Sequence, residues 1–118
     1  MTTIDLNQIQ QRLDQFAQER DWEQFQSPKN LVMALAGEAG ELLAEFQWLS
    51  EDQSRQLDDE KREAVALEMA DIFNYLMLLS TRLNVDIAAA VDRKIAINAE
   101  RYPAEVVRGS SKKYNEYE

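Results

Sequence analysis

Neither cysteine nor histidine occurs anywhere in the 118 residues. Disulfides, thiol catalysis, zinc centres of the Cys/His kind, histidine acid–base chemistry and Ser-His-Asp triads are excluded within one chain. A metal here must be held by oxygen alone, which selects magnesium, manganese or calcium. Glycine and proline are scarce, three and two residues. Few turn-forming residues disfavour an all-β fold and suit long helices. Basic residues are in the minority, 13 against 22 acidic ones, for a net charge of −9. A nucleic-acid polymer is therefore not an expected partner, because phosphate neutralisation needs a basic surface. No apolar run reaches the ~18 residues of a membrane span, and Met1 to Gln10 lack the positive start and apolar core of a secretory signal. A soluble, cytoplasmic protein without a membrane partner is expected. The 45% hydrophobic content and the length suit one modest core, expected as a single domain over 1–118.

What is present is helical periodicity. Leu6, Ile9, Leu13 and Phe16 make an apolar stripe for a first helix over 5–20, with Thr3 or Asp5 as its cap. Residues 20–25 read as a loop or a short helical turn. Ser27-Pro28 is a helix start, serine capping and proline in the first turn. The second helix runs to about Trp48, the polar residues 50–56 form a connection, and a third helix spans 57–83. Asn84 is a stop and Asp86 the cap of a fourth helix over 87–101, with Ile87, Val91 and Ile95 as its inner face. Pro103 ends it, and 104–118 read as irregular. The fold class is all-α, a compact four-helix-type bundle. The second half of the third helix is apolar nearly all round, which implies burial against another subunit as well as its own core.

Chemistry concentrates on two of these helices. Glu38, Glu41 and Glu45 fall on one stripe of the second, where Leu31, Leu35, Leu42 and Phe46 supply the apolar face. Gly37 and Gly40 interrupt it at about 1 kcal/mol each relative to alanine, which suggests a close approach there. Glutamates on helices usually face water. That reading serves Glu60 and Glu63 but not Glu68 and Asp71, which sit i, i+3 between Val65-Ala66-Leu67 and Ile72-Phe73. Carboxylates so flanked need a cation or a hydrogen-bond network, and Arg62 and Arg82 are the few cationic candidates nearby. Glu38 and Glu41 facing Glu68 and Asp71 on an antiparallel neighbour would make an all-oxygen box for Mg²⁺, with Mn²⁺ as a substitute. Such a box serves a substrate bringing its own phosphate oxygens. Lys94, Asn98 and Arg101, at i, i+4, i+7 on the fourth helix, could then receive phosphate charge, although a solvated helix edge is the commoner fate of such residues. Trp22, Trp48 and Tyr75 could wall in a base, against core or end packing as the plainer reading.

The spaced pairs Glu38-x-x-Glu41 and Glu68-x-x-Asp71 resemble the metal motif of the MazG-like all-α nucleoside triphosphate pyrophosphohydrolases. Arg20-Asp21-Trp22-Glu23-Gln24-Phe25, Gly37-Glu38-x-Gly40-Glu41-Leu42, Phe46-Gln47-Trp48, Arg101-Tyr102-Pro103-Ala104 and Ser110-Ser111-Lys112-Lys113-Tyr114 are similar to the dCTP pyrophosphatase branch. The resemblance implies a helical bundle completed as a homo-oligomer, dimer or tetramer. It also implies Mg²⁺-dependent conversion of a dNTP to dNMP and pyrophosphate, in house-cleaning of the nucleotide pool. It makes Glu38, Glu41, Glu68 and Asp71 the metal ligands and catalytic set, Trp22, Trp48 and Tyr75 the pocket wall, and Lys94 and Asn98 nucleotide contacts from the fourth helix. The chain departs from the fuller MazG pattern at Gly37 and Leu67, where further glutamates stand, and at Leu13, where relatives of the branch carry a polar pocket residue. A non-catalytic helical nucleotide- or protein-binding module is the alternative, and the complete carboxylate set speaks against it. A di-iron bundle would need histidines.

Overall fold

In a computed structural model the described residues, 3–116, are helical with short connections. Residues 1, 2, 117 and 118, the ends of the expected single domain, lie outside the described residues, as does the side chain of Tyr114 in the last family-like motif. The chain divides into two compact units, Met1–Asn84 and Val85–Glu118.

The first unit holds α1 (Leu6–Glu19), a 3-10 turn (Glu23–Phe25), α2 (Pro28–Phe46), α3 (Glu51–Arg55) and α4 (Asp59–Arg82). Each helix starts where a short polar side chain meets an orphan amide. Asp5 forms a capping box with Gln8, Ser27 caps α2 with Pro28 in its first turn, and Asp58 caps α4. α2 and α4 are the main packed pair, and α1 lies against α4. Leu31 of α2 and Met77 of α4, at 2% and 1% exposure, are the largest fully buried side chains, joined in the core by Ala17, Val65 and Leu78.

The polar connection expected over 50–56 contains a helix instead. Ser50 and Gln53 form a reciprocal capping box, and acidic Glu51 and Asp52 precede basic Arg55 along the turn, in the sense the helix dipole favours. A turn held by capping needs no apolar stripe, so periodicity could not reveal it. α4 is long and apolar enough, by length and composition alone, to cross a membrane. The 18-residue window that meets this test admits no more than two charged residues, whereas the whole helix carries five carboxylates, Asp59, Glu60, Glu63, Glu68 and Asp71. This helix nevertheless packs on α2 and α1.

Among the described residues nothing makes the expected close approach at Gly37 and Gly40. A Cβ built at either glycine meets nothing within 4 Å. Their stripe of α2 is open, with Met33 and Leu43 exposed beside it, and Leu67, Met69 and Phe73 of α4 are exposed too.

The second unit holds α5 (Ile87–Arg101), capped by Asp86, then α6 (Ala104–Val107) and a 3-10 turn (Tyr114–Glu116). Asn84 takes a positive φ of 54°, the left-handed stop expected of it. α6 corrects the expectation of a wholly irregular tail: Pro103, with its fixed φ, follows the end of one helix and stands at the N-cap position of the next, without a side-chain cap. The expected inner face of α5 is exposed at Val91 and Ile95. Within its own unit this 15-residue helix has only a four-residue helix and a short tail to pack against.

Candidate active site

The site is built on the α2–α4 pair. Glu38, Glu41 and Glu68 each place a carboxylate oxygen within 4.8 Å of the others. Lys61 Nζ on α4 lies 2.7 Å from Glu45 Oε2 on α2. Seven residues forward along α2, from Glu38 to Glu45, correspond to seven residues back along α4, from Glu68 to Lys61. The two helices therefore run antiparallel, and two helical turns separate the acidic cluster from the ion pair.

The cluster is electrostatically loaded. The carboxyl of Glu38 is raised from 4.5 to about 7, first by the Glu41 carboxyl beside it, which a proton can bridge, then by desolvation and by the negative charges of Glu41, Asp71 and Glu68. Glu68 is raised as well, by desolvation first and then by Glu41, with the charges of Asp71 and Glu45 adding to it. Oε2 of Glu38 and Oε2 of Glu68 are both enclosed without a hydrogen-bond partner. Neither cationic candidate from the sequence answers them. Arg82 turns to Asp14 and Gln26, and no hydrogen bond or ion pair ties Arg62 to the cluster. Enclosed, unpaired carboxylate oxygens on like-charged neighbours are unfavourable unless a proton or a cation joins them. The donor set is all oxygen and fits a hard divalent ion such as Mg²⁺. Asp71 is exposed, outside the tight triplet yet close enough for its charge to act on both raised glutamates.

Asp71 also stands at the edge of a cavity of ≈ 610 Å³. The volume lies within the roughly 300–1,000 Å³ usual for small-molecule sites. Its wall is mostly apolar, from Ile9, Leu13, Phe16, Trp22 and Leu78, with Arg12, Gln26, Asn74 and Tyr75 as polar groups. A second cavity of ≈ 220 Å³ shares Trp22, Gln26 and Tyr75. Trp22 is placed by the end of α1. Asp21 adopts φ 53°, and the amides of Asp21 and Trp22 return to the carbonyls of Gln18 and Ala17 at 3.1 and 2.9 Å, a Schellman closure. Gln24 donates to the backbone carbonyl and the carboxylate of Asp21, and the Trp22 ring meets Phe16 edge-on at 5.7 Å.

Trp22 and Tyr75 thus share both cavities, and Glu38, Glu41 and Glu68 share one cluster. Trp48 lies just beyond α2, 87% exposed, and lines neither cavity. Lys94, Asn98 and Arg101 lie exposed on α5 in the second unit. Sequence reasoning missed Arg12, Gln26 and Asn74 as lining groups, and Lys61 as partner of Glu45. Lys61 had a signal: it is a cation two turns before Glu68 on the same helix. Gln26 lies in a short connection, where no periodicity points to a cavity.

Residues 33–117 match the model of the MazG-like family. Human dCTP pyrophosphatase 1 is 45% identical over 94% of this chain, and the bovine dCTP pyrophosphatase 1 is 43% identical. The chain spans 66% of the human protein's length and 67% of the bovine one's. Among solved structures, a pyrophosphatase from Archaeoglobus fulgidus superposes with a TM-score of 0.80 at 30% identity, over 87% of this chain and 96% of that one.

Proposed function

We propose, because the chain belongs to the MazG-like family, that it is a nucleoside triphosphate pyrophosphohydrolase acting on a dNTP, with dCTP or a modified dCTP as its substrate. Water attacks the α-phosphorus, the bond to the bridging oxygen breaks, and the products are dNMP and pyrophosphate. The observation that carries this reading is the cluster of Glu38, Glu41 and Glu68 beside the cavity that Asp71 borders. It supports these four residues as ligands of Mg²⁺, or of Mn²⁺ in its place. When bound, such an ion supplies charge neutralisation and Lewis-acid polarisation at the phosphates.

The chain's own groups do the rest. The apolar wall with Trp22 and Tyr75 excludes water from the base and holds it by stacking. Asp71 belongs both to the cavity wall and to the neighbourhood of the carboxylates, so a base held in the cavity would leave its triphosphate on the side where Glu38, Glu41 and Glu68 would hold the cation. Lys94, Asn98 and Arg101 of α5, on this chain or a second copy, serve the phosphates. The relatives' names, dCTP pyrophosphatase and pyrophosphatase, support the reaction class.

Homo-oligomerisation, as dimer or tetramer, is part of this reading. Open apolar residues on both α2 and α4, and glycines with free space above them, support a helix face that a second copy covers. Trp48, left exposed in the single chain, would join the pocket wall once that face is covered. The biological role we assign is house-cleaning of the cytoplasmic nucleotide pool.

Incubation with dCTP and Mg²⁺ should release pyrophosphate and not orthophosphate. Tight binding without turnover across all four dNTPs would replace the enzyme with a nucleotide-binding module.

A further inference from the structure

The polar wall of the larger cavity is set from outside it. Asp14 Oδ1 on α1 lies 4.0 Å from Nη1 of Arg82 near the end of α4. Nη2 of Arg82 donates to Gln26 Oε1 at 2.8 Å. These contacts are partly buried, so solvent screens them little. Arginine carries donors and no acceptor. Gln26 must therefore face it with its oxygen, and the two N–H groups of the amide are what it has left to offer. No acceptor among the described residues takes them, and Gln26 lines both cavities. Arg12 lines the larger cavity as well, without a hydrogen-bond or ion-pair partner among the described residues. Gln26 and Arg12 thus both present donors.

We propose that Gln26, locked in one amide orientation by Arg82, is a specificity-determining residue that selects a nucleobase edge made of acceptors. This rests on the nucleotide reading above. Cytosine presents adjacent acceptors at N3 and O2. Uracil and thymine carry a proton at N3, so a donor set against that edge meets a donor and leaves both groups unsatisfied. Arg82 is a positioning residue: it touches no ligand and acts through the amide.

The test is the ratio of kcat/KM for dCTP to that for dUTP, with KM and kcat resolved. Gln26→Leu should lower the ratio about five- to tenfold, mainly through KM for dCTP. Gln26→Glu keeps an acceptor for Arg82 but removes the donors, so the ratio should fall further as dUTP gains. Arg82→Met should lower the ratio by releasing the amide to rotate, and Arg82→Lys, which restores a donor, should recover it. Should Arg82→Met fail to fold by circular dichroism, the two Gln26 variants decide alone. A ratio unchanged in folded, active Gln26→Leu and Gln26→Glu overturns the assignment and leaves the enzyme reading standing. A wild-type protein releasing no pyrophosphate from any dNTP overturns both.

Discussion

Lys61 and Glu45 pin α4 to α2 through a 2.7 Å contact, two turns from the point where Glu38 and Glu68 meet. The pair does two things at once. It fixes the antiparallel register that brings the carboxylates together, and it occupies the one further glutamate of the α2 stripe with a cation of its own. Glu45 adds to the charge felt by Glu68, so Lys61 also moderates the cluster.

Lys61→Met should therefore destabilise the metal-free protein by about 1 kcal/mol, the scale of a partly exposed ion pair. In Glu45→Gln/Lys61→Met the loss should shrink, because no carboxylate is left unpaired. Urea denaturation of the four proteins of this cycle gives the coupling. Equal losses in single and double variants would remove the register role.

Glu68→Gln should separate function from folding. The amide keeps the shape and removes one negative charge from a crowded site. Turnover should fall roughly 10²–10³-fold, the loss of several kcal/mol of transition-state stabilisation. The melting temperature without metal should rise, since a like-charge contact is gone. Full activity in this variant, or in Asp71→Ala, would sink the metal-ligand assignment.

Stability without metal should fall as pH rises. Glu38 holds its proton up to about 7 in the folded protein, against 4.5 as its ordinary value. Between those values the folded state binds more protons than the unfolded one, so the contribution is present below pH 4.5 and lost as pH passes through about 7. Glu68 is raised in the same direction. Mg²⁺ at pH 8 should restore the melting temperature, because it replaces the proton as the group that joins the carboxylates. A flat melting profile over this window, with and without Mg²⁺, would contradict the loaded cluster.

Gly40→Trp tests the open face of α2. Among the described residues, its own helix turn aside, nothing lies within 4 Å of a Cβ built there, so the monomer should still fold. A second copy packed over the stripe would be displaced, and light scattering should show the molar mass fall to that of one chain. Wild-type protein already monomeric at high concentration would refute the oligomer directly.

The meeting of Glu38, Glu41 and Glu68 was legible because helical spacing puts them on facing stripes of α2 and α4 and apolar neighbours flank Glu68. Asp71, expected to be enclosed in the same way, is exposed, because the apolar run around it is itself open at Met69 and Phe73. Helix starts were legible for the same kind of local reason, as at Ser27-Pro28 and Asp86. Gln26 was not, because its significance comes from Arg82, 56 residues away, which no local pattern links to it. At Gly37 and Gly40 the sequence pointed to a close approach without naming its source, and within the described residues the space above them is open. Asp21 shows a third limit. Its positive φ sets the entry of Trp22 to the cavities, but an aspartate in a polar stretch gives no sign of it.

The oxygen-only cluster on α2 and α4 also decides which stresses the protein withstands. Thiolate centres are lost to peroxide by stepwise oxidation of sulfur. Carboxylates have no such ladder to climb. Soft ions such as Cu(I), which seek sulfur, find no ligand of their kind among Glu38, Glu41, Glu68 and Asp71. A centre built this way keeps its ligands under oxidising conditions that would cost a thiolate site its own.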